Sequence, residues 1–525
     1  MHRTDIKWEV VRTTTGEAVG TAVDAVYAHR PDVVAATAWL FTHEHLLHIL
    51  SRVKALMPQT VTILGGPEFL GHNEEYLRHH PEVDCVLRGE GEEIFSRWIT
   101  VWNRREAWRD IEGLCYLSPN AHTSFINPDY HDGGHARVMN FASLRVPEQS
   151  TLFTWSKPFV QLETTRGCFN SCAFCVSGTG DPIRLLPIDT IRQRLDHIRE
   201  RGIRDVRILD RTFNYHSRHA VDLLRLFAEY HPHLRFHLEI HPALMAQSVR
   251  EVLREMPHGL LHLEAGIQSL RQEVLDKSLR KGSLKQSLEG LRYLCSLPGV
   301  IIHADLIAGL PLYTLKQIYE DIRTLAEYGV GEIQLESLKL LPGTLMRHNA
   351  SLLGLRYSPL PPYEVLETDA ITSSELQEAR RLSRLLDAYY NTEAWQHITR
   401  KLILEEDDFI GRLLSHLTEH NYIDQPMSLE RRGELLYLFC RDHYPSYALD
   451  VTVAWIEAGM SLKKRPAEGV RTKHVQPSVE WIILSGEYSD TLRLCFLPTD
   501  DEGHGYWFGY DSTKQNPIPV FKAKG

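Results

Sequence analysis

The chain has 525 residues and a mass of 60.4 kDa, long enough for about three or four domains. Apolar residues make up 43% and charged residues 24%, which excludes a largely disordered, collagen-like or low-complexity chain. A count of 58 Lys and Arg against 68 Asp and Glu gives a net charge of −10, which argues against bulk nucleic-acid binding and leaves room only for a local basic groove. Eight cysteines are too few for a disulfide framework. The opening MHRTDIKWEV carries charges where a leader peptide needs its apolar core. No apolar run approaches the ~18 residues of a membrane span. The expectation is a cytoplasmic protein with reduced thiols and no nucleic-acid or membrane partner.

In the N-terminal part, IKWEVVRT (residues 6–13) reads as a strand and 17–30 as a helix. DVVAATAWLF (32–41) reads as a buried strand, followed by a helix over 43–58. TVTILGGPEF is a strand entering a Gly-Gly-Pro turn, and VDCVLRGEGEEIFSRW repeats strand, glycine turn and helix. Such alternation predicts a parallel, doubly wound α/β sheet over residues 1–140. Ligands of these sheets sit at the carboxyl ends of strands, here the turns after Leu64 and Leu87. Residues 110–155, rich in Pro, Asn, Asp and paired Gly, read as an irregular crossing to the next domain.

From Phe159 a second alternation begins. Strands are expected at FVQLETT, DVRILD, LRFHLEI, LLHLEAGIQ, VIIHADLIAG and EIQLESLK, with helices between them. Six βα units predict a complete or partial parallel barrel over residues 141–365. Residues 366–475 then read as a run of helices, and 476–525 as a small β tail with strands at VEWIILSGEY, TLRLCFLP and GYWFGYDS.

The sharpest local feature is ETTRGCFNSCAFC, which spaces Cys168, Cys172 and Cys175 as C-x3-C-x2-C. Three thiolates within eight residues can wrap one soft metal centre; zinc, an iron–sulfur cluster and coincidence all remain open at this point. Structural zinc usually takes four protein ligands, and Cys85, Cys115, Cys295, Cys440 and Cys495 form no second pair. Three thiolates on a four-iron cluster would leave one iron open to another ligand.

With an aromatic residue before its last cysteine, the motif Cys168, Cys172, Phe174, Cys175 resembles that of the radical S-adenosylmethionine (SAM) superfamily. The resemblance implies a 4Fe-4S cluster on the three cysteines, SAM chelated at the open iron, and Phe174 packed near the adenine. It extends along the barrel. RILDRTFNYHSRHA resembles the second-strand motif of cobalamin-associated members, which implies SAM-side roles for Asp210, Arg211 and Asn214. By the same likeness Glu239 of FHLEIHPALM helps hold the ribose or aminoacyl group. Gln268 and Ser269 follow Gly266 at a strand end, Arg280 contacts the SAM carboxylate, and Asp305 and Gly309 of HADLIAGLPLYT support the adenine.

GGPEF and RGEGEE resemble the turns of a cobalamin-binding domain, which implies Thr37, Gly65, Gly66, Gly89 and Glu90 as cobalamin neighbours. There is no D-x-H-x-x-G motif to offer a lower-face histidine, and the sheet starts at what would be the second strand of such a domain. The fold implied is α/β: a Rossmann-like cobalamin-type domain, a partial (β/α)6 TIM-like radical SAM barrel, and a mainly helical C-terminal domain with its β tail. The C-terminal helices resemble those of one branch of this group.

The activity implied is cobalamin-dependent methyl or alkyl transfer to an unactivated centre of a small molecule, with a reducing protein such as a flavodoxin or ferredoxin as electron donor; no catalytic residue is assigned. One rival is a cobalamin-independent radical SAM enzyme that transfers another SAM-derived group, such as 3-amino-3-carboxypropyl, or rearranges its substrate. The other is a non-catalytic iron–sulfur or zinc protein.

Overall fold

The computed structural model describes residues 6–118, 128–178, 182–461, 464, 473–475, 492–498, 505–511, 518–519 and 521–524. The chain divides into two compact units, Met1–Ile318 with Ser337–Leu376, and Tyr319–Glu336 with Gln377–Gly525.

The first unit opens with α1 (Val19–His29), β1 (Val33–Thr37), α2 (His43–Leu56), β2 (Val61–Gly65), α3 (Glu74–His79), β3 (Cys85–Leu87), α4 (Gly91–Trp98), β4 (Leu114–Ser118) and β5 (Asp129–Asp132). The five strands lie in the order β1-β2-β3-β4-β5. The first three are parallel, and β4 and β5 are antiparallel additions. Leu50 of α2 and Leu77 of α3 pack with Leu64, Val86 and Cys115 on one face. Ile94 and Trp98 of α4 cover Ile63, Cys85, Leu87 and Leu114 on the other. Helices on both faces explain why these strands are apolar on both sides rather than alternating.

Two expectations change here. Residues 6–13 form no strand; Trp8 instead lies against Phe95 of α4, with ring centroids 6.0 Å apart. Among the described residues no strand pairs with the outer edge of β1, so β1 pairs only with β2, Val33 opposite Val61. The stretch 110–155, expected to be irregular, contains β4 and β5. Their apolar content is short, and what makes them strands is the free edge of β3, on which Val86 pairs with Cys115.

The barrel part begins with β6 (Phe159–Leu162) and a two-residue ribbon of β7 (Thr165–Arg166) and β8 (Arg184–Leu185). It continues through α5 (Ile188–Glu200), β9 (Asp205–Ile208), α6 (Ser217–Ala228), β10 (Arg235–Ile240), α7 (Gln247–Arg254), β11 (Leu261–Gln268), α8 (Gln272–Lys277), α9 (Leu284–Cys295) and β12 (Ile301–Ala308). In this unit five parallel strands lie in the order β12-β11-β10-β9-β6. The expected sixth strand, Glu332–Ser337, is present and falls mostly in the second unit. Outward residues such as Val160, Val206, Phe236, Leu263 and Ile302 are buried beneath the helices. The inward positions of β10, β11 and β12 hold His237, Glu239, His262, Glu264, His303 and Asp305, so the strands alternate with period two.

The expected helices appear at Ser373–Leu385, which begins in the first unit, and in the second unit at Glu393–Glu405, Phe409–Glu419, Leu429–His443 and Ala448–Glu457. Trp395 and Trp455 are both fully buried, and Gly433 sits where an added Cβ would lie 2.4 Å from the Trp395 ring. TLRLCFLP and GYWFGYDS supply antiparallel strands Leu492–Pro498 and Gly505–Asp511 in a four-stranded sheet. The strand expected at VEWIILSGEY lies outside the described residues. Among the described residues no helix is long and apolar enough to cross a membrane.

One ion pair stands out in the first unit. Arg194 of α5 and Glu148 of the preceding linker are both buried, and the guanidinium donates to both carboxylate oxygens at 2.7 and 3.0 Å. Removing one partner strands a buried charge, at a cost of about 3–5 kcal/mol. Glu148→Ala should therefore lower the unfolding midpoint clearly, and adding Arg194→Met should recover much of the loss. A single variant that melts with the parent protein would refute the assignment.

Candidate active site

The cysteine loop leaves β7 through Gly167, whose φ of 102° is a conformation that favours glycine. Cys168 and Cys172 are buried and Cys175 is half-buried. Donors point at all three sulfurs: Asn170 N–H to Cys168 Sγ and Ser177 N–H to Cys175 Sγ, both at 3.4 Å, and Arg280 Nη1 to Cys172 Sγ at 3.6 Å. Burial pushes the Cys172 thiol up, and the Arg280 guanidinium works against that shift. The loop is held from outside as well. Ala173 N–H donates to Ser278 O, Lys281 N–H to Asn170 Oδ1, and Met346 N–H to Ala173 O, at 2.8–2.9 Å. A Cβ on Gly178 would come within 2.5 Å of Cys172 O, so the loop closes only with glycine there. Phe174 is half-buried on the same loop.

Around the loop, the residues expected at the SAM side divide into two groups. Asp210 and Asn214 have their polar atoms engaged within the protein. The fully buried Asp210 carboxylate accepts Thr164 N–H at 2.7 Å, Thr165 N–H at 2.8 Å, and the Thr164 hydroxyl. Burial raises it to about 6 in spite of those donors. Asn214 accepts His241 N–H and donates to the His241 and Leu244 carbonyls at 2.9–3.1 Å. Ser269 is buried and accepts Arg271 N–H at 3.2 Å. Gly309, at φ 91°, ends β12, where a Cβ would meet Leu338, Leu376 and Val365 at 3.5–3.6 Å.

Arg211, Glu239, Gln268, Arg280 and Asp305 form the second group. Arg280 bridges Cys172 Sγ and the Gly266 carbonyl, which places a guanidinium directly beside the thiolate loop. A bulge between Gly266 and Gln268 puts Gln268 at φ 71°. Its amide nitrogen lies 2.8 Å from where a Gly266 Cβ would stand. Arg211 and Glu239 form an ion pair at 3.6 Å. Burial raises Glu239 to about 7, with Arg211 opposing and the nearby Glu264 and Asp305 adding to the rise. Deeper in the barrel, His237 pairs with Glu264 at 2.8 Å and His303 with Asp305 at 3.1 Å. Burial raises Asp305 to about 6; burial also acts on Glu264, but the His237 hydrogen bond carries it below its ordinary value.

On the N-terminal side, Thr37 ends β1 and is exposed, and Gly65 ends β2. Gly66 (φ 110°) and Gly89 (φ 106°) are required by the chain itself, because a Cβ would sit 2.6 Å from Ala38 O and 2.3 Å from Ala136 O. Glu90 accepts Val138 N–H at 2.7 Å and Arg184 Nη1 at 2.9 Å, and approaches Arg166 at 3.4 Å. A cavity of about 840 Å³ is lined by Thr37, Gly65, Gly66, Gly89 and Glu90 together with Arg166, Gly167, Ser177 and Arg211. Trp39, 54% exposed, also faces it. Sequence reasoning passed over Trp39, Arg166 and Arg184. Only the position of Arg166, two residues before Cys168, was a signal.

Residues 162–325 match the radical SAM superfamily, 7–98 a B12-binding domain, and 353–452 a protein region of unknown function, DUF4080. The chain carries a B12-binding domain followed by a radical SAM domain. A radical SAM domain implies a 4Fe-4S cluster and SAM, and a B12-binding domain supports cobalamin. Over 290 residues the chain is 25% identical to the hopanoid C-3 methylase of Methylococcus capsulatus, covering 53% of each chain. Over 351 residues it is 22% identical to the cobalamin-dependent radical SAM methyltransferase TokK of Streptomyces tokunonensis, covering 63% of this chain and 51% of that one. The chain thus spans about half the length of these two curated relatives. The structure of the cobalamin-dependent SAM radical enzyme OxsB shares its fold, with a TM-score of 0.57 and 12% identity over 86% of this chain and 76% of that one.

The residues present fit both groups. Three soft thiolates, each with a donor on its sulfur, suit an iron–sulfur cluster, whose potential responds to such hydrogen bonds. The cavity wall beside β1 to β3 includes Gly65, Gly66, Gly89 and Gly91, turns after parallel strands of the kind that admit a bulky ligand. The raised Glu239 gives a pH test. Between its ordinary 4.5 and about 7 the folded protein keeps a proton that the unfolded chain has released. Folding stability in the cofactor-free protein should therefore fall as pH rises through that window. Glu239→Gln should lessen the fall of the unfolding midpoint between pH 5 and 7, modestly because the group is part-exposed and because Asp210 and Asp305, raised to about 6, keep their share of it; superimposable profiles would contradict the raised carboxyl.

Proposed function

We propose that the protein is a cobalamin-dependent radical SAM methyltransferase acting on a small molecule. The observation that supports this most directly is the cavity of about 840 Å³, walled on one side by the strand ends of the B12-binding domain and on the other by Arg166, Gly167, Ser177 and Arg211 of the barrel mouth. When bound, the cluster and SAM supply one-electron cleavage to methionine and an adenosyl radical, and cobalamin supplies a methyl carrier.

The chain's own contribution is placement. Cys168, Cys172 and Cys175 hold the cluster and leave one iron position for the amino and carboxylate groups of SAM. Arg280, fixed between Cys172 Sγ and the Gly266 carbonyl, presents a cation beside that position, suited to the SAM carboxylate. Arg211 is about half exposed and only 3.6 Å from Glu239, loose enough for both side chains to turn to a ligand. An electron must come from outside, so a reducing protein such as a flavodoxin or ferredoxin belongs to the proposal.

A second reading, radical SAM chemistry without cobalamin, is favoured by one observation. Gly66 and Gly89 are already explained by the close approach of Ala38 and Ala136. Anaerobic purification and reconstitution separate the readings. A retained corrinoid, iron absorption and methyl transfer support the first; iron and SAM cleavage without corrinoid uptake support the second. Zinc in place of iron would sink both. Cys168→Ala, Cys172→Ala and Cys175→Ala should each abolish SAM cleavage while the barrel stays folded by circular dichroism, and cleavage retained in any one would refute the cluster assignment.

A further inference from the structure

The segment from α8 to the start of α9 lies directly on the cysteine loop. Ser278 O accepts Ala173 N–H, Lys281 N–H donates to Asn170, and Arg280 reaches Cys172 Sγ. Its outer side carries Lys277, Lys281 and Lys285, all exposed and, among the described residues, with no acidic partner. Lys281 Nζ instead donates to the carbonyl of Phe169, between the first two cysteines. Two acids share this stretch, Glu273 and Asp276, and Asp276 already accepts from Gln272 at 2.8 Å.

Exposed apolar side chains also border the cysteine loop. Leu279, held at φ 55°, is 47% exposed between the two residues that touch the cysteine loop. Leu345 is 49% exposed and adjoins Met346, whose N–H is bonded to Ala173 O. Tyr215 is 41% exposed and stacks on Phe169 at 4.8 Å. Apolar groups beside unpaired cations have the anatomy of a transient protein interface, unusual on a chain of net charge −10.

We propose that this face, centred on Leu279 and flanked by Lys277, Lys281 and Lys285, is where an acidic one-electron carrier protein of the flavodoxin or ferredoxin class docks. The proposal rests on the iron–sulfur reading above. The carrier loses one electron and the cluster gains one; the same electron then enters the SAM sulfonium, where a carbon–sulfur bond breaks to give methionine and the adenosyl radical. A carrier on this segment would sit on residues hydrogen-bonded to the thiolate loop, and unpaired cations raise the encounter rate with an acidic partner.

The test uses the cluster-loaded protein and its Lys277→Glu, Lys285→Glu double variant, neither lysine touching the loop. Reduced flavodoxin is one donor and dithionite the other. Cluster reduction is followed by visible bleaching and electron paramagnetic resonance, and binding of oxidised flavodoxin by calorimetry. At low salt the variant should be reduced by flavodoxin roughly tenfold more slowly and bind it roughly tenfold more weakly, with the difference shrinking towards about 0.5 M salt as charges are screened. Reduction by dithionite should be unchanged. Equal flavodoxin rates and affinities in variant and parent would overturn the docking face while leaving the cluster intact. No dithionite-reducible cluster in the parent would instead overturn the reading beneath it.

Discussion

A redox group held by three thiolates has no fourth protein ligand to close its loop, so the shape of that loop must come from the structure around it. In this chain the support comes from three sides. The buried Asp210 carboxylate pins the Thr164 and Thr165 amides just ahead of the loop. The 278–281 segment holds Asn170 and Ala173, and Met346 closes on Ala173 from the end of the barrel. These partners lie 45 to 173 residues from the groups they hold, so the geometry of Cys168, Cys172 and Cys175 is a product of the folded barrel. The same contacts bring Arg280 and the exposed lysines onto the loop, which ties the ligand set, the candidate SAM cation and the candidate donor face to one set of constraints.

The barrel interior follows a second constraint, charge compensation. A partial barrel filled with aliphatic layers would need no acids, yet β10 to β12 turn six ionisable side chains inward. Pairing makes this tolerable for five of them: His237 with Glu264, His303 with Asp305, and Glu239 with Arg211 from beyond the end of β9. The first two pairs are deep and close. The third is near the mouth, longer and part-exposed, and burial raises its acid to about 7. Compensation weakens towards the cavity, where a bound ligand would supply the missing partner.

What the sequence disclosed depended on the range of the signal. Cysteine spacing, period-two alternation and helix periodicity are local, and the barrel strands through β12 appear where the alternation put them. Residues 6–13 have the composition of a strand without an edge to pair with, so Trp8 lies on α4 instead. Conversely, β4 and β5 arise because β3 offers an edge to a segment that looks irregular by itself. Asp210 and Asn214 were legible as important positions at a strand end, but their backbone partners, up to 46 residues away, were not. Gly66 and Gly89 signal a close approach; that the approaching atoms include Ala38 O and Ala136 O needed coordinates.

Glu90 shows why that range matters for function. From sequence it is an acid in a glycine turn facing a ligand. In the structure it is also a bracket, since Arg184, 94 residues later, donates to it while Arg166 reaches it from the strand that launches the cysteine loop. Arg166 also holds Glu163 and Glu92 at 2.7 and 2.9 Å, so one guanidinium joins the turn of the B12-binding domain to the root of the thiolate loop. A second bracket, the buried Glu68 with the Tyr363 hydroxyl, ties the Gly66 turn to the chain beyond the barrel. Both cofactor-side walls of the cavity are therefore fixed to each other by charged or hydrogen-bonded pairs that include the turn residues themselves. Group transfer across the cavity, as proposed above, would need its two sides held at a set separation, and these pairs join the two sides without occupying the space between them.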